Sequence, residues 1–211
     1  MPEAHETVPN IESYSFDVTT QTTPNSKLPI LVYRNVLDKH LVTGATKNKE
    51  YIDHMNRVFM KNGWEALGVF PCITRAHYHP NVHEAYAVIS GQSDLILGLD
   101  VNYNPSSMTH EDLKKLSYLE LSIKDGDIIV IPAGVSHCSK RYDKEYRYVG
   151  LYPMNGERWK SVSSTQVKEA NGHYDNSKDV MVAQNVPLPI ADPIYNKGGT
   201  GTLLELWGAS S

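Results

Sequence analysis

Four of the nine histidines in this 211-residue chain fall in two short stretches. The first is HYHPNVHEAYAVISG. His77 and His79 stand two residues apart, so on an extended strand both imidazoles leave from the same face. Pro80 and Asn81 mark a turn, and Glu84 opens a second run. There Glu84, Tyr86 and Val88 share one face, while Ala85, Ala87 and Ile89 share the other. Two imidazoles and a carboxylate can thus converge from adjacent strands, a donor set suited to a divalent first-row metal. The second stretch is GDIIVIPAGVSHCSKR. Gly126 and Asp127 form a turn, IIVI reads as a buried strand, Pro132 to Gly134 make another turn, and His137 begins the return strand.

Together these stretches resemble the two motifs of the cupin superfamily. His77, His79, Glu84 and Gly91 match the first, and Gly126, Pro132, Gly134 and His137 match the second, both without a gap. The helix ending in NGW, the LPILVYR segment, VGLYP after the second motif and the tail VPLPIADPIY…LLELW are similar to the YjlB-type single-domain cupins over residues 28 to 207. The resemblance implies an all-β fold: a double-stranded β-helix, or jelly-roll barrel, with a preceding α-helix and irregular N- and C-terminal flanks. It further implies a homodimer and one divalent transition metal (Fe, Mn, Ni, Zn or Cu) in the barrel mouth, held by His77, His79, Glu84 and His137. In two respects the chain departs from the pattern: Arg141 stands where the second motif commonly ends in Asn, and 34 residues separate Gly91 from Gly126.

Around this set the catalytic candidates are Glu84, Tyr86 and Arg141, and the substrate-binding candidates are Arg75, Tyr86 and Arg141. Tyr86 shares the Glu84 face, where it can offer a hydroxyl for proton transfer or fill the barrel interior. By alternation Arg141 shares a face with His137 and Ser139, and Arg75 with His77 and His79. Arg141 then either meets an anionic substrate group or sits exposed at the rim. His83 precedes Glu84 and points the other way. Cys138 has the opposite parity to His137 and reads as a buried thiol, and Cys72 has no base beside it in sequence. His5, His40, His54, His110 and His173 fall in flanks, the helix or an insertion and are expected to be exposed.

The elements that must position these residues are short. Residues 1 to 27 read as a flexible N-terminal arm, 28 to 207 as a single cupin domain with its metal-site core at 64 to 153, and 208 to 211 as a tail. Ordered structure is expected from LPILVYRNVL onward, and the arm with this strand is expected to extend a neighbouring subunit's sheet. NKEYIDHMNRVFMKNG (48–63) predicts a helix, from Tyr51, Met55, Val58 and Phe59 at helical spacing and Gly63 as the stop. From Trp64 to Pro153 the chain is a series of β-branched and aromatic segments cut by Gly, Pro and Asp. Asn102 to Lys115 interrupts them as either a lid or a solvated loop. Trp64 and Trp207 are expected to anchor the helix and the tail.

A net charge of −4 without a Lys/Arg run argues against nucleic acid as a partner. No apolar stretch reaches the ~20 residues that span a bilayer, and MPEAHETVPN lacks the pattern of a secretory signal. A cytoplasmic protein with a small-molecule substrate is the expectation. The resemblance favours a metal-dependent enzyme of dioxygenase or related oxidoreductase type. A metal-assisted isomerase or decarboxylase and a non-catalytic ligand-binding cupin are the alternatives.

Overall fold

The computed structural model describes residues 11–15, 19–20, 22–38, 49–170, 174–195 and 201–208, without the side chains of residues 50, 51, 106 and 110. His5, His40, His173, the His110 side chain, and residues 1–10 and 209–211 lie outside the described set. In chain order the strands and helices are β1 (Ile11–Tyr14), β2 (Ile30–Tyr33), α1 (Lys49–Phe59), β3 (Trp64–Phe70), β4 (His77–Tyr78), β5 (Glu84–Ser90) and β6 (Gln92–Leu97). There follow α2 (His110–Leu113), β7 (Leu119–Lys124), β8 (Ile128–Ile131), β9 (His137–Tyr142), β10 (Arg147–Pro153), β11 (Val162–Ser163), α3 (Ser164–Glu169), α4 (Ser177–Gln184) and α5 (Leu203–Gly208).

Two antiparallel sheets carry the fold. One runs β1-β2-β8-β5-β10-β3 and the other β11-β4-β9-β6-β7. The hairpin β6–β7 is the tip of a long double strand, since β5 pairs with β8, β4 with β9 and β3 with β10. Rolling that double strand up sends successive pairs to opposite sheets, which is the double-stranded β-helix. Two of the motif glycines show why the roll needs them. Gly91 (φ +67°) turns β5 into β6, and a Cβ there would lie 2.8 Å from the Tyr146 amide nitrogen. Gly134 (φ +83°) sits in the turn before β9, where a Cβ would come within 2.9 Å of the Asn25 carbonyl oxygen.

Alternation along β5, β8 and β10 divides the apolar residues into two layers. Tyr86, Val88, Ile129, Ile131 and Tyr148 face the barrel interior with Leu95, Leu97, Leu121 and Ile123 from the other sheet. Ala85, Ala87, Ile128, Val130, Val149 and Leu151 face outward under Met55 and Phe59 of α1 and Leu203 and Trp207 of α5. Each of these larger aliphatic side chains contributes roughly 1.5–3 kcal/mol by leaving water. Because both faces are covered, IIVI reads as an unbroken apolar run rather than an alternating one. Val101 and Leu116, which flank the 102–115 insertion, border Ile96 and Cys138 on the outer face of the second sheet, and Leu113 within the insertion is buried.

The C-terminal segment is fastened by polar contacts as well as by packing. Trp64 Nε1 donates to Ala191 O at 3.0 Å and Trp207 Nε1 to Pro29 O at 2.9 Å, so both tryptophans do anchor the flanks. The fully buried Asp192 carboxylate accepts from Tyr33 OH and from the amides of Ile194, Tyr195 and Leu203.

Three expectations are modified. Part of the supposed flexible arm is β1, which pairs with β2 in the same chain; Ile11 lies on the outer core. β2 is therefore flanked by β1 and β8, and the edge of the sheet on this side belongs to β1 of the arm. The helix stops at Phe59 and tightens into a 3-10 turn, Met60–Asn62, before Gly63 (φ +74°) ends it. Short helices α3 and α4 form where the sequence showed only polar character; Ser163 and Gln166 cap α3 reciprocally.

Candidate metal centre

The roll of the sheet is what assembles the donors. β4 pairs with β9 so that His77 stands directly opposite His137, although they are 60 positions apart in the chain. β5 pairs with β8, placing Glu84 opposite Ile131 at the same end of the barrel. One ring nitrogen each from His77, His79 and His137 lies within 4.8 Å of the others, and all three residues are buried. The rings touch in tilted or edge arrangements, with centroids 4.4 Å apart for His77–His137 and 5.3 Å for His77–His79.

Hydrogen bonding fixes which nitrogen faces inward. His77 Nδ1 lies 3.1 Å from Arg75 O, His79 Nδ1 2.8 Å from Lys160 O and His137 Nδ1 3.0 Å from Val135 O. A carbonyl can only accept, so each Nδ1 carries a hydrogen, and in a neutral ring the lone pair is left on Nε2. Glu84 Oε2 sits 3.2 Å from His79 Nε2 and 3.1 Å from His137 Nε2. Neither Glu84 Oε2 nor His137 Nε2 has a geometrically sound hydrogen bond. Lone pairs gathered this closely require positive charge among them, as a proton or a metal ion. The donors present therefore fit a divalent metal.

The ionisation tendencies follow the same geometry. Burial, and then the neighbouring His137 and His79, pull His77 down to about 3, which keeps it a neutral donor. Burial also works against charge on His79, but the adjacent Glu84 carboxylate outweighs it and raises His79. For Glu84 the cost of burial is overcome by His79 and His137, which hold its carboxyl well below the usual range.

Several supporting residues had not been singled out in the sequence. Tyr152 OH donates to Glu84 Oε1, and the Tyr152 ring stacks on Trp159 at 5.1 Å. The signal was there: Tyr148, Gly150 and Tyr152 recur at period two along β10, the spacing of one strand face. Asn81 has no such signal. Its side chain donates to Arg158 O and accepts from the Lys160 amide, so it ties the 157–160 segment beside His79. Tyr86 forms the floor, its ring edge-on to His137 at 5.6 Å and stacked on Tyr148 at 3.7 Å. Replacing Tyr152 by Phe should lower metal affinity about 10–100-fold, read by competition against a chelator, with the far-UV circular dichroism unchanged.

Two sequence candidates are corrected. Arg141 is not on the His137 face, because β9 pairs Ser139 with Leu95 but Arg141 with Asp94, leaving Lys140 as an extra residue. This bulge turns Lys140 and Arg141 to the same outer side, where both pair with Glu120 and Arg141 also pairs with Asp94. Arg141, with 73% of its side chain exposed, thus takes the exposed rim position and does not face the centre with His137. Arg141→Ala should leave metal content intact and shift stability by no more than about 0.5 kcal/mol in urea titration. Arg75 is exposed and donates to Thr165 Oγ1, since β4 begins only at His77; its backbone carbonyl, not its guanidinium, serves the centre.

The remaining expectations divide. His83 faces away from the centre, buried against Trp207 at 4.7 Å, with Nδ1 accepting from the Ala133 amide. Its Nε2 faces the carbonyls of Val186 and Pro187 outside good hydrogen-bond geometry, and burial pulls His83 down to about 4. Cys138 is a buried thiol pushed up to about 12 by burial, unsuited to nucleophilic attack. His54 is exposed. No helix among the described residues is long and apolar enough to cross a membrane.

No known family profile matches the chain. It is 25% identical over 200 residues to the uncharacterized protein YjlB of Bacillus subtilis strain 168, covering 93% of this chain and 96% of that protein. Among solved structures it is similar to an acireductone dioxygenase from Bacillus anthracis with cadmium in its active centre, at 15% identity and a TM-score of 0.40. That likeness covers 62% of this chain and 82% of the other. A Bacillus subtilis oxalate decarboxylase is 15% identical with a TM-score of 0.35 over 80% of this chain, which spans 38% of that protein's length.

Proposed function

From a chain with the cupin fold, we propose a metal-dependent enzyme that acts on a small molecule, of the oxidoreductase type. The observation that carries this reading is the set of three clustered imidazoles whose outer nitrogens are locked to backbone carbonyls, with the inner nitrogens of His79 and His137 beside an otherwise unpartnered carboxylate oxygen. His77, His79 and His137, with Glu84 beside the last two, would hold a single divalent ion. When bound, such an ion supplies Lewis acidity and, if it is iron or another redox metal, electron transfer to dioxygen.

The chain's own residues divide the remaining work. Arg75, Val135 and Lys160 orient the imidazoles through their carbonyls. Tyr152 holds Glu84 by donating a hydrogen bond to Oε1, so that Oε2 is turned toward the imidazoles. Tyr86, Tyr148 and the apolar interior behind them exclude water from the barrel side.

Purification without chelator, elemental analysis and a small-molecule panel assayed with and without oxygen test the reading. Stoichiometric metal with oxygen-dependent turnover is expected. Turnover that persists under anaerobic conditions would replace oxidation by proton-transfer chemistry such as isomerisation or decarboxylation, and metal-free protein would remove the enzyme reading.

A further inference from the structure

The cavity that shares a wall with the metal centre has a chemistry of its own. It measures about 410 Å³, and Glu65, Tyr152, Arg158 and Trp159 are among the residues that line it. That volume is within the range of small-ligand pockets. Tyr152 and Glu65 are cross-strand partners on β10 and β3, so their side chains share one face of the sheet. Trp64 and Ala66, on either side of Glu65, belong to the outer core, which leaves Glu65 on the barrel-mouth side. Since Tyr152 OH donates to Glu84, one side chain separates this cavity from the metal donors.

The cavity carries charges of both signs, Glu65 from β3 and the neighbouring Glu157 and Arg158 from the segment after β10. Arg158 lies in the segment after β10, its guanidinium carbon 5.5 Å from the Trp159 ring centroid, and it makes no ion pair among the described residues. Glu65, on β3, likewise makes no ion pair among them. Glu157 is held by Asn81 at 3.3 Å. The apolar lining is supplied by Leu67, Pro153 and Met154 and by the stacked pair Tyr152–Trp159. A guanidinium resting on an aromatic ring is pre-oriented for a carboxylate, and a carboxylate without an ion pair in the same cavity favours an ammonium group. The backbone of the Arg158 segment is tied down by Asn81, so the ordering cost of binding is partly met in advance.

We propose that this cavity binds a small amphoteric molecule, with a carboxylate at Arg158, an amine at Glu65 and an apolar or aromatic body against Tyr152, Trp159 and Leu67. The assignment rests on the enzyme reading above only in calling this molecule the substrate.

Three related probes separate the contributions: phenylalanine carries both charges, 3-phenylpropanoate only the carboxylate, and 2-phenylethylamine only the amine. Isothermal titration of the full-length protein should give phenylalanine at least tenfold tighter binding than either relative. Arg158→Met should weaken phenylalanine at least tenfold while leaving phenylethylamine within twofold, and Glu65→Gln should leave phenylpropanoate within twofold while weakening phenylalanine. Equal binding of all three probes, no binding of any, or an unaltered phenylalanine affinity in both variants would overturn the assignment. Elemental analysis of the same samples keeps the two readings apart. Full metal without phenylalanine binding sinks the amphoteric ligand alone, whereas the expected probe ranking in metal-free protein leaves it standing and sinks the metal reading.

Discussion

His137→Ala should reduce bound metal from about one equivalent to a residual fraction, with oxygen-dependent turnover falling at least ~100-fold. The size follows from what the residue does. Altering a partner of a metal ligand costs roughly 10–100-fold in affinity or activity, and removal of the ligand itself should exceed that. His137 is also the cross-strand neighbour of His77 and one of two imidazoles against Glu84 Oε2, so its loss leaves the buried carboxylate with a single nearby imidazole. The fold should survive. The interior packing of β5, β8 and β10 does not pass through this ring, and the far-UV circular dichroism should be that of the parent. Elemental analysis is the deciding measurement: full occupancy in both His137→Ala and His77→Ala would mean that the metal, if any, is held elsewhere. Cys138→Ala, one residue along on the opposite face, is the matched control and should keep its metal.

The largest expected loss of stability lies away from the centre. Asp192 is fully buried and receives four hydrogen bonds, from Tyr33 OH at 2.7 Å and from the amides of Ile194 (2.8 Å), Tyr195 (3.0 Å) and Leu203 (2.9 Å). Asp192→Ala removes the acceptor and leaves the buried phenol and the Leu203 amide without partners. Each orphaned buried group costs about 1–3 kcal/mol, so a loss of about 3–5 kcal/mol is expected. For a chain of this size, that corresponds to a melting temperature lower by roughly 6–20 °C. Asp192→Asn keeps a carbonyl acceptor and should recover part of the loss. Urea titrations in which the midpoint falls at constant slope would support this account, whereas a midpoint unmoved by Asp192→Ala would refute it.

The site was legible to the extent that it is local. His77, His79 and Glu84 are close in sequence, strand alternation orients them, and the second motif supplies His137. What joins them is the β4–β9 pairing across the rolled sheet, which periodicity does not encode and which the motif resemblance supplied. Arg141 shows how alternation fails. One bulged residue, Lys140, is enough to reverse the face, and nothing in HCSKRY announces it. Tyr152 could have been found from the period-two tyrosines of YRYVGLYP. Asn81 could not, because its partners lie 77 and 79 positions away in an irregular segment. For the same reason β1 was hidden: four residues in a polar context carry too little pattern, and their place is decided by the free edge of β2.

The double strand that rolls up from the β6–β7 tip has a temporal consequence. His77 meets His137 only when β4 pairs with β9, outside the β5–β8 pair, so a growing or refolding chain owns half a chelate until that winding closes. Pairings of such long sequence separation form slowly. Ion capture thus reports closure of the β4–β9 winding, and its rate after dilution from denaturant should track a refolding phase rather than the concentration of added metal.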